Sequence, residues 1–265
     1  MTRKTFTLSL ISLTIGASLG LFSAPGMSVP TSERSNLSIE IAGNEWNAFT
    51  PPDGLGTPGR REGGGTRGDC PAGVARNALT ALVPETTAGA TILDRPEFLF
   101  YLPASSGVLE VEFVLLDDLD NAVYTKTLTA PSQAGIVTID LKEDSAPALE
   151  VGQSYHWYFS AICNPNDRSA DIHVEGWIER VDAEQTEVKT DATTSASEKV
   201  TIYTEASIWY DAIAVLAEQR RSYPNDANLE AQWQQMLASV GLDEIADIPL
   251  IEWSNDKRMA SKRRK

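Results

Sequence analysis

The sequence predicts a mainly β protein, a two-sheet sandwich with a pair of α-helices at its C-terminus. Three observations carry this. Between Asn77 and Val181, seven short apolar or alternating runs are separated by turn residues at spacings typical of strands. Beyond residues 182–197, apolar residues instead recur every three or four positions, the period of a helix face. Finally, Leu149-Glu150-Val151-Gly152-Gln153-Ser154-Tyr155 has the pattern of a tyrosine corner, in which a Tyr hydroxyl at the start of a strand bonds back to the preceding loop. Seven strands and such a corner favour a β-sandwich of the immunoglobulin-like kind.

In chain order, residues 1–28 read as a signal peptide. Arg3 and Lys4 precede an uncharged run from Thr5 to Pro30, its apolar centre is Phe6 to Phe22, and the small residues Ala24, Gly26 and Ser28 follow. The rival is an uncleaved anchor, but seven Ser or Thr within Thr5–Ser23 lower the hydrophobicity that an anchor needs. Residues 29–68 are rich in Gly and Pro: positions 51–68 alone hold seven Gly and three Pro, a composition read as loop rather than as a central strand. Leu37-Ser38-Ile39-Glu40-Ile41 alternates and suits a short strand.

The sandwich is expected over 69–181. Its strands are Leu79–Val83, the continuously apolar Phe98–Leu102, Leu109–Leu116, Val123–Leu128, Ile136–Leu141, a run with Tyr155, Trp157, Phe159, Ala161 and Cys163 on one face, and one with Ile172, Val174 and Ile178. Residues 182–197 are polar, lack aromatics and read as a linker. A helical hairpin is placed over 198–248. Ser195 and Glu198 form a capping box, and Ile202, Ala206, Trp209, Ile213 and Leu216 make one apolar stripe. Pro224-Asn225-Asp226 turns the chain into a second helix that carries Trp233. The pair resembles one tetratricopeptide-like unit, too small to stand alone and so expected to pack on the sandwich or on a partner. Residues 249–265 form a basic tail.

Charge narrows the function classes. The 265 residues carry 22 Lys and Arg against 37 Asp and Glu, a net of −15. Six of the basic residues lie between Lys257 and Lys265. Without these and Arg3 and Lys4, 14 positive charges face 37 negative, a net of −23. Such a body offers phosphates no basic surface, so no nucleic-acid partner is expected. Membrane contact is expected only through the signal segment before cleavage. Two Cys and two His leave no Cys-rich zinc module. In an exported chain, Cys70 and Cys163 are an even pair suited to a disulfide; the bland alternative is two buried thiols.

No site with catalytic chemistry stands out. Gly63–Gly68 spells GxGxxG, but charged residues precede it instead of a strand and Asp69-Cys70-Pro71 follow instead of a helix, so no cofactor is expected. GxSxG, HExxH and CxxC are absent from the sequence. His156 and His173 read as solvent-facing strand residues rather than metal ligands. The acids and Asn from Asp117 to Asn121 read as a hairpin tip rather than a calcium loop. Neither a catalytic nor a metal site is assigned. Interaction candidates are Arg60, Arg61 and Arg67 around the glycines, as an anion-binding loop; Trp177, as an exposed ring for stacking; and Trp209 and Trp233, whose apolar stripes exceed what a free helix pair needs.

TPGRREGGGTRGDC (57–70), LTALVPETT (79–87), EVGQSYHWYFSAIC (150–163), NDRSADIHVEGWIERV (166–181) and ASIWYDAIAVLAEQRRSYPND (206–226) closely resemble the cyanobacterial family called domain of unknown function 928, over about Pro51 to Pro249. The resemblance implies an exported protein and transfers no catalytic or binding residue. The expectation is an exported, non-enzymatic envelope protein, periplasmic or extracellular, that works by contact with an envelope protein partner. The alternatives are a glycan-binding module and, behind it, a hydrolase with an undetected site.

Overall fold

The computed structural model describes residues 59–64, 70, 72–75, 79–142, 146–186 and 188–253. Residues 1–28, read above as a signal peptide, Leu37–Ile41, Arg67 and the basic residues of the tail lie outside them. Among the described residues nine strands form: β1 (Arg60–Gly64), β2 (Thr80–Ala81), β3 (Ala88–Thr91), β4 (Glu97–Leu102), β5 (Glu110–Leu116), β6 (Ala122–Thr129), β7 (Gly135–Asp140), β8 (Ser154–Ile162) and β9 (Ile172–Arg180). Three helices follow: α1 (Ala196–Glu205), α2 (Trp209–Ser222) and α3 (Ala227–Ser239).

The strands hydrogen-bond in the order β6-β5-β8-β9-β1-β2-β4-β7, and β3 runs parallel to the end of β9. All other pairings are antiparallel. The sheet curls until β4 faces β5 and β8 across an aromatic core. Phe100 stacks on Phe159 with centroids 4.1 Å apart, Phe98 lies 4.9 Å from Phe113, and the Trp157 ring meets Phe100 edge-on at 5.6 Å. Alternation along β5 and β8 produces this directly, since every second residue is buried. The Tyr155 hydroxyl accepts a 2.9 Å hydrogen bond from the Glu150 N–H, the corner contact expected from the sequence.

One expectation for the N-terminal half needs correction. The glycine-rich segment 29–68, read as loop, contributes β1 to the middle of the sheet, between β9 and β2. Glycine permits this close approach: a Cβ at Gly59 would lie 2.7 Å from Thr87 Oγ1 and about as near the Glu175 carbonyl. The pairing with β9 is irregular, with Arg60 opposite Glu175 and Gly64 opposite His173. The sequence gives no sign of β3, AGAT, which has neither the length nor the apolar alternation that marks a strand. It is held by its parallel pairing to Trp177–Arg180.

Gly176 is equally crowded. A methyl group there would overlap the Thr87 carbonyl oxygen and the Trp157 ring, both fixed in the core. Gly176→Ala is therefore expected to cost about 1–3 kcal/mol, read as a fall in the thermal midpoint; an unchanged midpoint would mean that β9 can shift away from β3.

The helical hairpin is also corrected. The stripe from Ile202 to Leu216 is two helices, broken where Ser207 takes φ +58°. A period of three to four passes through such a break unseen. α1 begins at Ala196, inside the expected linker, on the Ser195–Glu198 capping box, and Val188 of that linker is buried. The break lets consecutive residues of α2 both reach the sheet: Trp209 donates its indole N–H to the Leu82 carbonyl at 2.9 Å, and the Tyr210 hydroxyl lies 3.1 Å from the Trp177 carbonyl. The start of the expected tail is likewise structured. Residues 249–251 lie along β7, with hydrogen bonds from the Ile136 N–H to Pro249 and from the Ile251 N–H to Ile136, each 2.8 Å.

Candidate functional site

Two positions expected to pair do so: Cys70 and Cys163 form a disulfide, with Cα atoms 4.8 Å apart. It joins the segment after β1 to the end of β8. The Cys163 N–H donates to Asp171 Oδ1 at 3.1 Å, and Arg168 clamps Asp171 while reaching Glu112 at 2.8 Å. This end of β8 is thus tied covalently and by charge, a structural role.

The polar face of the sheet carries the more suggestive constellation. Because β8 and β9 alternate, the parity that buries Trp157, Phe159 and Val174 turns His156, Tyr158 and Ser160 outward beside Trp177, Glu175 and His173. The His156 ring lies flat on the Trp177 ring, 4.3 Å away and 8° from parallel, and is also 4.3 Å from the Tyr158 ring. His156 Nε2 stands 3.4 Å from Glu175 Oε2, within ion-pair reach but too long for a well-formed hydrogen bond. Arg60 on β1 is opposite Glu175 in register, and its guanidinium lies 3.3 Å from the Gly64 carbonyl.

The electrostatics follow from this packing. The facing His156 holds the Glu175 carboxyl below its ordinary value against the opposing effect of burial, with His173 and the Tyr158 hydroxyl adding to the lowering. Burial, then the Glu175 charge, pushes Tyr158 up to about 12. Burial holds His173 below its ordinary value, assisted by Arg60 and opposed by Glu175 and Asp171. At neutral pH the face therefore presents a carboxylate, a protonated phenol and a neutral His173 imidazole. Chemically, these groups can only donate and accept hydrogen bonds.

Metal ligation by the two histidines does not fit the register. His156 is opposite Trp177, so His173 lies four residues further along β9, about 13 Å away at strand rise. Among the described residues no group of three or more His, Cys, Asp or Glu is placed to hold an ion. At the β5–β6 tip, Asp117 Oδ1 accepts from the N–H groups of Leu119 and Asn121 at 2.9 and 2.8 Å, so the turn itself occupies that carboxylate.

The remaining interaction candidates are largely redirected into the core. Trp177 was expected to be exposed and is only 6% accessible, because His156 stacks on it. Trp209 and Trp233 are 1% and 0% accessible; the Trp233 N–H donates to the Ala246 carbonyl at 3.1 Å, and Arg220 lies 4.9 Å over its ring. Their apolar stripes are used within the chain. Arg61 donates to the Val240 carbonyl at the C-terminus of α3, so it caps a helix rather than lining an anion loop. Of the two described arginines, Arg60 is the one exposed on the candidate face; Arg67 lies outside the described residues. Sequence reasoning missed Tyr158, whose signal was its shared parity with His156.

A family model described as Domain of Unknown Function (DUF928) matches residues 62–250. The chain belongs to the DUF928 family. The matched span takes in β2 to β9, most of β1 and all three helices, so the outward cluster of this DUF928 chain lies almost wholly inside it. No curated protein and no solved structure matches the chain. Among the described residues no helix is long and apolar enough to cross a membrane.

Proposed function

We propose that this DUF928 chain is an exported, non-enzymatic binding module of the cell envelope, and that its contact surface is the outward face of β8, β9 and β1. The observation that carries the reading is the Tyr158–Glu175–His156 cluster. A sheet face that only met water would not need a carboxylate, a phenol and an imidazole half-buried against one another. The basic and apolar pattern of residues 1–28 supports export, and the Cys70–Cys163 bridge suits an oxidising compartment. A protein partner is favoured over a glycan because Trp177, the ring suited to sugar stacking, is already covered by His156. The Tyr155 corner and the facing of β4 against β5 and β8 support reading the curled sheet as immunoglobulin-like, and the tight α2–α3 turn supports a tetratricopeptide-like pair.

The test is affinity capture from envelope extracts with the mature chain and its Tyr158→Ala/Glu175→Gln variant. Specific partners recovered by the first are expected to fall at least tenfold with the second, at an unchanged melting temperature. Equal recovery by both would sink the assignment of this face, and retention on immobilised glycans that the variant loses would move it to the glycan reading.

A further inference from the structure

Among the described residues, 249–253 cover the outer edge of β7 only as far as Thr138. Leu250 stands opposite Ile136 in parallel register, and the Trp253 indole N–H donates to the Thr138 carbonyl at 2.6 Å. Outward positions on a strand edge recur every second residue, so the next along β7 is Asp140. Because the two segments run parallel, residues 249–253 are directed toward Asp140.

That end of β7 opens into an acidic cleft. Glu97 of β4, opposite Asp140 in register, lines it together with Asp140, Glu218 of α2, Glu252 and Trp253. Arg221 is the one cation among the described lining residues. It reaches the Thr138 hydroxyl, Glu218 at 3.3 Å and Glu97 at 4.0 Å. One positive charge against four negative leaves the cleft a formal net of −3. At its margin the exposed Lys142 follows Asp140, whose Oδ1 accepts the Lys142 backbone N–H at 2.7 Å.

We propose that this edge and its cleft dock the chain's own basic segment, Lys257–Lys265, in cis. The charges are complementary: the segment carries six basic side chains and no acidic one. The reach is short, since Lys257 lies four residues beyond Trp253, at most about 14 Å of extended chain. Single surface ion pairs are weak and screened by salt. The tether offsets this by holding the segment at high effective concentration beside the cleft, an advantage that the tail of a second copy lacks. The inference is independent of the outward face and its ligand, because β1, β2 and β4 separate β7 from β9.

Zero-length carbodiimide cross-linking of an equal mixture of isotopically heavy and light full chain tests the contact. Amide links from Lys257 or Lys262 to Glu97, Asp140, Glu218 or Glu252 are expected within single chains. Their yield should be about tenfold lower at about 1 M salt than at about 0.05 M. Heavy–light links as frequent as same-label links would assign the contact to a second copy and overturn docking in cis. Links scattered over acids outside the cleft, or a yield indifferent to salt, would overturn it too. A second readout needs no cross-linker: amide exchange in Lys257→Gln/Arg258→Gln/Lys262→Gln. Residues 138–140 and 251–253 are expected to exchange about threefold faster or more than in the unaltered chain, with β5 and β8 unchanged. Equal exchange in the two chains refutes the docking.

Discussion

Replacing Cys70 and Cys163 by Ser together is expected to lower the unfolding free energy by about 4–5 kcal/mol, the chain-entropy cost of releasing a loop of this length. The bridge spans 93 residues, from the segment that follows β1 to the end of β8. It crosses almost the whole β-rich part of the chain, so the unfolded ensemble gains most when it is cut. Cys70 is buried alongside Ala72 and Val74. Urea unfolding with and without reductant measures the effect. A shift in midpoint below that expected for about 1 kcal/mol would mean that Cys163, held through Asp171 and Arg168, is positioned without the bridge. The single Cys163→Ser variant serves as control, since a stability equal to that of the double variant isolates the cross-link from the packing of the sulfur atoms.

Trp209→Ala should be nearly as damaging, costing about 4 kcal/mol or more. Truncating a buried Trp removes about 3–5 kcal/mol of packing, and here it also strips the Leu82 carbonyl of its indole donor. Trp209→Phe, which keeps one aromatic ring but loses the donor and part of the indole volume, is expected to cost less, about 1–3 kcal/mol. Denaturant unfolding separates the two variants, and their difference is the point. If Trp209 were a contact for a partner, Ala would leave stability unchanged and reduce only binding. If it clamps α2 to the sheet, both variants unfold earlier and the Ala variant by far the more.

These three residues mark how far the sequence reading reached. The cysteines could be paired from compartment and parity alone, because only two exist. Trp209 could be placed on an apolar helix face, but a stripe says that a residue is buried and not against what. The outward cluster was half legible. Alternation along β8 and β9 separates His156 and His173 from the core parity, whereas the stacking of His156 on Trp177 depends on a register of strands that no local pattern encodes. Asp211, buried in the first turn of α2, was illegible, since a single acid among Trp209, Tyr210 and Ile213 reads as the polar edge of a helix until β3 closes over it.

The sequence by itself determined the β-rich body, the place of seven of its strands, the tyrosine corner, the turn before α3 and the family. Each of those is written in local alternation, period or turn chemistry. The tertiary structure alone decided that Arg60–Gly64 is a central strand, that AGAT pairs with β9, that the helical stripe breaks at Ser207 and that Asp211 is sealed in. In each case a distant segment supplies what the local residues lack, whether a hydrogen-bond edge, a surface to reach or a lid against water, and the energy of that contact outweighs what the local sequence prefers.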